Sequence, residues 1–585
     1  MADRILSSSP LSSAPSTEAT FRTASSQPSS HYHSARSLPY ELLQHVQVYL
    51  EESLFSQALH FLLSLTTASL KDSRSLTIPP PDYLAVIATL CVHPSLTTRT
   101  TSRDKWTQSN DALKLLRIIN QVTGPVNAGL TEAYKFRRYT ERLSIRRGVT
   151  SEDDSNVNNH KLNISYADTD SLFSLAEDFW ALIGWALNSA CLPGYHATRW
   201  EHYAPFLNYL LDVLETDWSL REETDTCSES LFWQYIEQAT GGNARGRRIL
   251  RAIFADGSTA SLNEFREIFR KELKGPKSNT EKLKKQEVAV DIDGEIYGDW
   301  MQEGESSTEE ENEAVNSNLS DPLNIRPKKR IRTRTPSARR KVTPKTSKRS
   351  LIPTPTDNDD SDVSMSEAPV TQPSLGGPES ITIRLRLLQL LSTVSANTTL
   401  IDSQTEPVFP DLHDLYTLFV EFIRPLPLSV FQQFVLSVLS ASLSGSTKAS
   451  ISPHARVTLC EFMLQRMIDR ESHKRSTFEP MTQARLASDY LPYAAVRNTV
   501  EAQAKVSLLL ESVVRQLAKA GVGYLKQSSE LIEALEQGVK NRQAAAAETK
   551  GNRKKGRDGG DEELAGLVLQ ESAMRMRIVI QRLDK

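Results

Sequence analysis

The sequence predicts an all-α protein in which two helical regions, of the solenoid or irregular-bundle kind, are joined by a long, disordered and charged linker. Three observations favour this fold class. Apolar residues recur at intervals of three and four through both regions, which is the spacing of one helix face. Residues 37–274 show no sustained two-residue alternation of the kind that marks a strand. Across residues 275–379 large apolar residues become sparse and prolines frequent, as in disordered linkers.

These changes in composition divide the chain into five segments. The first, residues 1–36, contains 11 serines and too few apolar side chains to offset the entropy of ordering, so it is predicted to be a disordered tail. Its arginines and serines also suit a mitochondrial transit peptide, but Asp3 and the absence of a basic amphipathic stripe favour the tail. The other segments are an N-terminal helical domain at 37–274, the linker at 275–379, a C-terminal helical domain at 380–548, and a basic flexible stretch with a terminal amphipathic helix at 549–585.

The composition excludes several classes of protein. The chain of 585 residues is 39% hydrophobic, below the usual 45–50%, and its 69 basic and 72 acidic residues give a net charge of −3. This near-neutral charge excludes a uniformly basic nucleic-acid coat protein. Four scattered cysteines are too few for a disulfide scaffold and favour a reducing, intracellular setting. The longest apolar run covers only residues 179–187, whereas a membrane span needs about 20 residues, so no membrane segment is predicted.

The helices of the N-terminal region are predicted from their own apolar patterns. Two runs, at residues 42–50 and 54–65, predict an αα-hairpin, and three prolines at 79–81 then break the chain. A helix from Leu172 to Leu192, starting at Asp170 or Ser171, is apolar nearly all round and is predicted to be central. Further helices are predicted near residues 82–92, 109–122 (capped by Asn110 and Asp111), 126–146, 201–218, 229–240, 244–256 and 261–273.

Helical patterns return at Ile381 in the C-terminal region. Ser452 and Pro453 favour a helix start, because serine caps a helix and proline fits its first turn. Further helices are predicted near residues 495–519 and 524–547. The last helix, residues 561–583, is predicted to dock through an apolar stripe, either onto residues 380–548 or into a groove on a partner. That stripe consists of Leu564, Leu567, Val568, Met574 and Ile578, widened by Leu569, Met576, Val579, Ile580 and Leu583.

The linker separates its charges into blocks, which repel internally and stay solvated. Residues 326–349 carry 12 Lys or Arg and no acid, between acidic stretches at 303–313 and 357–362. The basic block resembles a nuclear localisation signal and therefore predicts a nuclear import receptor as a partner. Its cations also suit the phosphates of DNA or RNA, and a solvated block with no partner is the remaining alternative. The residues of the predicted signal are Lys328, Lys329, Arg330, Arg332, Arg339, Arg340 and Lys341.

Three threonines in or beside the basic block are candidate phosphorylation sites. Thr335, Thr343 and Thr354 are each followed by proline in an accessible basic segment, which suits proline-directed kinases. Each phosphate would remove about 1.5–2 units of local positive charge and so tune import or binding. The alternative is an unmodified linker.

A second basic patch is predicted at Arg245, Arg247, Arg248 and Arg251, where phosphate or an acidic partner could bind. A solvated helix face explains the same residues. The two glycines Gly241 and Gly246 have phosphate-loop spacing but lack the Lys-Ser/Thr pair, so they predict a turn between helices.

Other candidate sites are weak. The set Cys191, His196, His202 and Cys227 has no zinc-binding spacing, and Cys191 is predicted to be a core residue. The carboxylates of residues 168–178 suit a metal site. They are better explained by a helix cap at Asp170 and by solvent-facing positions of Glu177 and Asp178. Five tryptophans at residues 180–233 predict either a packed core or an aromatic groove, to which Arg199 would give a basic rim.

No motif identifies an enzyme, a cofactor or a metal site. Stacked helices usually serve recognition, so the sequence predicts a non-catalytic nuclear scaffold or adaptor subunit of a chromatin-associated assembly, with other subunits of that assembly as partners. The alternative is a nucleic-acid-binding factor in ribosome biogenesis or RNA processing. The predicted location is the nucleus.

We expect the basic block to direct nuclear import. Replacing its six clustered cations with alanine removes the charge that an acidic receptor groove binds, so a fluorescent fusion should move from the nucleus to the cytoplasm. Live-cell microscopy of the mutant beside the unchanged fusion is the measurement. A mutant that stays fully nuclear would show that this block is not the signal. The six residues are Lys328, Lys329, Arg330, Arg339, Arg340 and Lys341.

Overall fold

The computed structural model describes residues 32–71, 75–137, 162–276, 375–402, 408–439, 453–468, 481–519, 525–550 and 559–583. Most of the predicted tail and nearly all of the predicted linker lie outside these ranges. The described residues are mostly helical, which confirms the all-α class. One departure from it is a short parallel pair of strands, β1 Ala35–Ser37 and β2 Leu76–Ile78, whose residues pair in register from Ala35 with Leu76.

Helices of the N-terminal region alternate with short turns. The predicted αα-hairpin is present as the first two helices, in which Leu43, Val46 and Leu50 are buried. The helices are α1 Tyr40–Glu51, α2 Phe55–Lys71, α3 Pro81–Val92, α4 Arg103–Asn127, α5 Leu130–Ala133, α6 Leu172–Leu175, α7 Phe179–Cys191, α8 Tyr195–Glu223, α9 Leu231–Gln238, α10 Arg245–Ile253 and α11 Thr259–Glu264.

Helices of the C-terminal region follow the same order as predicted, with shifted ends. Pro453 begins a helix, and a π-helix at Leu486–Tyr490 follows a short turn of α-helix. The helices are α12 Pro378–Ala396, α13 Thr398–Asp402, α14 Leu412–Ile423, α15 Leu428–Leu439, α16 Pro453–Met467, α17 Gln483–Arg485, α18 Val500–Lys519, α19 Ser529–Lys550 and α20 Gly559–Gln581.

The helix predicted at Leu172–Leu192 is broken into α6 and α7. The break comes at Asp178, whose carboxylate accepts a hydrogen bond of 2.7 Å from the backbone N–H of Ala181 and so caps α7. Asp178 is therefore buried, not solvent-facing as predicted, because its other oxygen lies 2.6 Å from Nη1 of Arg248. The prediction that this segment is central is confirmed for α7. A Cβ atom on Gly184 would overlap the ring of Phe265, so α7 and the chain beyond α11 touch closely.

Three other N-terminal helices differ from their predicted bounds. Helix α4 begins at Arg103, ahead of the predicted cap at Asn110, and it is kinked at Gly124, where a left-handed φ of 74° precedes Pro125. The predicted helix near 126–146 is represented by α5 alone: residues 134–137 are described and are not helical, and residues 138–161 lie outside the described ranges. The predicted helix near 261–273 ends at Glu264, because the chain then turns to bring Glu272 into the interior.

Arg199 lies in the core and gives no basic rim to a groove, contrary to the prediction. Its side chain is fully buried, with Nε 2.8 Å from the Glu272 carboxylate and Nη1 2.8 Å from the hydroxyl of Thr97. The other oxygen of Glu272 accepts the backbone N–H groups of Ile268 and Phe269. The pair is buried because each charge is saturated by hydrogen bonds, a pattern that no local spacing reveals.

The two helical regions pack against each other within one compact unit that spans residues up to 276 and from 372. The central contact is made by Arg384 of α12, which is fully buried. Its guanidinium donates to the carbonyls of Ile253 and Ala255, at and just beyond the end of α10, with 2.8 Å to Ala255. These carbonyls have no partner within the helix, so a cation satisfies them and suits the helix dipole.

Apolar and ionic contacts surround Arg384 in the same interface. Phe254 stacks on Phe422 and Phe434 at centroid distances of 5.4 and 5.6 Å. Arg386, two residues beyond Arg384, lies 2.8 Å from Glu215 of α8. Side chains from both the N-terminal and the C-terminal helical region therefore form this interface. The boundaries of the five predicted segments stay a prediction.

Replacing Arg384 with leucine is expected to destabilise the fold by about 3 kcal/mol, since buried carbonyls lose their donors. The matched control is Arg247→Leu at the same interface, whose exposed pair with Glu421 is worth about 1 kcal/mol or less. Urea unfolding of both variants measures the free energies. Equal losses in the two variants would show that Arg384 does not hold the regions together.

Candidate interaction surface

The predicted nuclear localisation residues and the candidate phosphorylation sites, all within 328–354, lie outside the described residues. Their roles stay predictions. The second predicted basic patch, residues 245–251, lies on α10 within the described residues.

Arginines of this patch form ion pairs within the chain. Arg247 lies 3.2 Å from Glu421 of α14, and both side chains are about half exposed. Arg251 forms a pair of 2.8 Å with Glu264, in which Nε and Nη2 of Arg251 both contact the carboxylate. These carboxylates reduce the positive charge that α10 presents to solvent.

The remaining two arginines of the patch hold neighbouring elements. Arg248 is nearly buried beside Asp178, as described above. Arg245 donates to the carbonyls of Ala239 and Val408, each at 3.1 Å, and so joins the turn before α10 to the segment before α14. The structure therefore gives all four arginines partners inside the chain. Binding of a phosphate or an acidic partner there stays a prediction.

The cysteines and histidines of α7 and α8 do not converge on a metal site. No group of three or more His, Cys, Asp or Glu side chains in the described ranges is placed to hold a metal ion. Cys191, predicted to be a core residue, is half-buried and lies 3.7 Å from the carbonyl of Ala255. Burial raises the pKa of its thiol, although Arg384 acts in the opposite direction. The thiolate is thereby disfavoured.

The aromatic cluster is a packed core and does not form a groove. Trp180, Trp185, Trp218 and Trp233 are at most 2% exposed. Phe179 stacks on Tyr235 at a centroid distance of 4.4 Å in the same core. Rings buried to this degree hold the N-terminal region together and leave no face for a partner helix.

The last helix, α20, docks onto α18 and α19 of its own chain. Its buried face consists of Ala565, Val568, Leu569, Ser572, Ala573, Met576 and Ile580, each at most 9% exposed. Small side chains occupy three of these seven positions, which allows the two helix backbones to approach closely.

Two ion pairs fix the rotation of α20 about its own axis. Arg575 contacts the buried carboxylate of Glu511 on α18, with Nε to Oε1 at 2.7 Å and Nη2 to Oε2 at 3.1 Å. Arg577 contacts Glu536 on α19 through two contacts of 2.7 Å. Hydrogen bonding to Arg577 lowers the pKa of Glu536, so the carboxylate stays charged to lower pH than usual. Bidentate pairs of this kind impose geometry as well as attraction.

The opposite face of α20 carries an exposed apolar stripe, defined as Leu564, Leu567, Met574 and Ile578. These side chains are 48%, 55%, 63% and 43% exposed. The sequence placed them with Val568 in one docking stripe. Of the two predicted arrangements, the structure shows the helix docked onto its own chain. Of those five residues only Val568 is buried, whereas Leu569, Met576 and Ile580, predicted to widen the stripe, are buried with it. The prediction of one stripe relied on the spacing of large apolar residues. The face that packs against α18 is instead the one that bears the small residues.

Exposed large apolar side chains elsewhere in the described ranges are scattered. Twelve such residues occur there, and four of them form the α20 stripe. The others are Tyr40, Val48, Leu54, Trp106, Val126, Tyr195, Val496 and Ile532. Single exposed apolar residues are normal on a protein surface, but several along one helix face mark an interaction site. The stripe is therefore the candidate functional site.

No protein-family model, curated protein or solved structure matches this chain. Among the described helices, none combines the length and the apolar character that a membrane crossing requires. The class that the structure supports is an all-α protein with an exposed apolar helix face.

Substitutions on the two faces of α20 are expected to differ in their effect on stability. Met576→Asp places a charge in the α18 interface and should cost about 3–5 kcal/mol. Leu567→Asp combined with Ile578→Asp alters exposed positions and should change the free energy of unfolding by no more than about 1 kcal/mol. Urea unfolding followed by circular dichroism compares them. The opposite ranking would mean that α20 docks through its other face.

Proposed function

We propose that this protein is a non-catalytic scaffold or adaptor subunit of a nuclear, chromatin-associated multiprotein assembly. It acts through helical protein–protein interaction surfaces. The observation that carries the proposal is the exposed stripe on α20, four large apolar side chains along about four helical turns that no other described part of the chain covers.

The stripe suits recognition because it is presented on a fixed helix. Arg575 and Arg577 hold α20 from its two sides through Glu511 and Glu536, so binding needs little ordering of the helix. A pre-organised surface loses less conformational entropy on association than a flexible one. Exposed anchors at intervals of three, four and seven residues are the pattern by which one amphipathic helix packs on another.

The nuclear and chromatin elements of the proposal have a different support. The basic block at residues 326–349 has the composition of an import signal, and three Thr-Pro sites lie in or beside it. An assembly on chromatin is consistent with an adaptor that carries both a protein-binding helix and a phosphorylatable basic segment.

A second candidate function is nucleic-acid binding, in ribosome biogenesis or RNA processing. One observation favours it. Four cations between residues 266 and 274 are exposed and form no ion pair with another described residue. Buried Glu272 fixes the turn that presents them, and the half-exposed ring of Tyr195 lies beside Gly275. Cations next to an aromatic ring suit a single strand. They are Arg266, Arg270, Lys271 and Lys274.

Affinity purification from nuclei tests the scaffold function. An N-terminally tagged chain should retain stoichiometric subunits, and the variant with Leu567→Asp and Ile578→Asp should lose at least one of them while keeping its melting temperature. The matched control is Val496→Asp, an exposed apolar residue outside the stripe. Mass spectrometry identifies and counts the subunits.

An unchanged set of subunits in the stripe variant would contradict the proposal. A filter-binding titration against salt then decides on the second function. Steep loss of affinity with salt, flattened by Arg270→Glu with Lys271→Glu, would support direct nucleic-acid binding.

A further inference from the structure

We propose that the occupant of the α20 stripe is the same stripe of a second copy, packed antiparallel about a two-fold axis. The inference rests on the proposed function and names a partner for its surface. A two-fold interface requires a patch that is complementary to itself, so that each contact occurs twice. Both the spacing and the charges of α20 meet this requirement.

The spacing of the stripe is that of a coiled-coil seam. Leu564, Leu567, Met574 and Ile578 follow intervals of three, seven and four, which are a and d positions of successive heptads. The heptad position that falls between Leu567 and Met574 in the seam is occupied by Glu571. Its carboxylate is 2.9 Å from Arg575 on the same helix, so the middle of the seam carries a pair of opposite charges.

The same spacing is nearly symmetric about Glu571. Leu564 and Ile578 each lie seven residues from it, while Leu567 lies four residues before it and Met574 three residues after it. An inverted copy of the helix therefore sets apolar residues against apolar residues on both sides of Glu571, which faces Glu571 of the second copy. One polar position within such a seam lowers stability but fixes the register.

The charges beside the stripe select the antiparallel direction. Glu563 at the start of α20 and Arg582 just after its end are both exposed, and neither forms an ion pair with a described residue. Antiparallel packing sets the acidic end of one helix against the basic end of the other, whereas parallel packing sets like charges together. The two helix dipoles also oppose each other only in the antiparallel arrangement.

The size of the stripe predicts a weak dimer. Four apolar side chains from each copy make an interface at the low end of specific contacts. A dissociation constant on the order of micromolar is expected, equivalent to about 8 kcal/mol. The dimer should therefore form and dissociate within the concentration range of ordinary solution measurements.

Sedimentation velocity of the purified full chain tests the dimer, from about 0.1 to 100 micromolar. The unchanged chain should shift from monomer to dimer across this range, because a micromolar constant lies within it. Leu567→Asp with Ile578→Asp should abolish the shift, and Val496→Asp should leave it intact. A chain that is monomeric at every concentration, or a dimer that survives the stripe substitutions, would overturn the proposal.

Disulfide cross-linking tests the direction with milder substitutions. In the antiparallel dimer Leu564 of one copy faces Ile578 of the other. Identical positions of the two copies are separated by 14 residues of helix, or about 21 Å, which is too far for a disulfide. A mixture of Leu564→Cys and Ile578→Cys chains should cross-link on oxidation, while neither chain should cross-link with itself. The native cysteines are buried or half-buried, and the unchanged chain is the control. Self-cross-linking of either single variant would indicate parallel packing and contradict the inference.

The two proposals fail in different ways. A monomeric chain whose stripe variant still loses a nuclear subunit would overturn the dimer and leave the scaffold function standing, with another protein on the stripe. A monomeric chain whose stripe variant loses nothing would overturn both. A stripe variant whose melting temperature is lowered at about 0.1 micromolar, where the unchanged chain is monomeric, would show that the stripe is packed within the chain, which also contradicts both proposals.

Discussion

The guanidinium of Arg384 is the contact on which the arrangement of the two helical regions depends. It is fully buried and has no carboxylate partner among the described residues; its acceptors are the carbonyls of Ile253 and Ala255 at the end of α10, the carbonyl of Leu187, the sulfur of Cys191 and the hydroxyl of Ser380. Burial lowers its pKa to about 10, so the side chain remains a cation at neutral pH. Residues 131 positions apart in the sequence are joined by this one side chain. The described residues up to 276 and from 375 thus belong to a single helical unit.

Buried charge recurs at two other places where distant parts of the described chain meet. Arg199 and Glu272 form a buried ion pair inside the N-terminal region. Arg575 pairs with buried Glu511 where α20 packs on α18. Burying an ion pair is seldom a large net gain in stability, but removing one partner leaves a charge without solvation. Such contacts disfavour alternative packings more than they strengthen the native one. They explain how apolar helices with similar periodicity adopt one arrangement.

The positions of most helices are predictable from the sequence, because apolar spacing and proline are local signals. The αα-hairpin, the central place of α7 and the terminal helix all follow from them. The burial of Arg199 and Asp178 does not, since their partners Glu272 and Arg248 lie about 70 residues away. Similarly, apolar spacing showed that α20 docks but not which face docks. That choice depends on small residues, which periodicity weighs least, and on two arginines whose partners are on other helices.

The docking of α20 has a consequence for chains truncated before this helix. Helix α18 is buried along most of its length partly because α20 covers it, and Val500, Ala504 and Leu508 pack with Ala565, Val568 and Leu569 in a small core of their own. A chain that stopped after Lys550 would lose the exposed stripe and uncover this apolar surface in one step. Glu511 would then retain only Arg515, its neighbour one turn away. A late premature stop would therefore yield a protein prone to aggregation as well as one deprived of its binding helix, and its phenotype would resemble misfolding more than the loss of one contact.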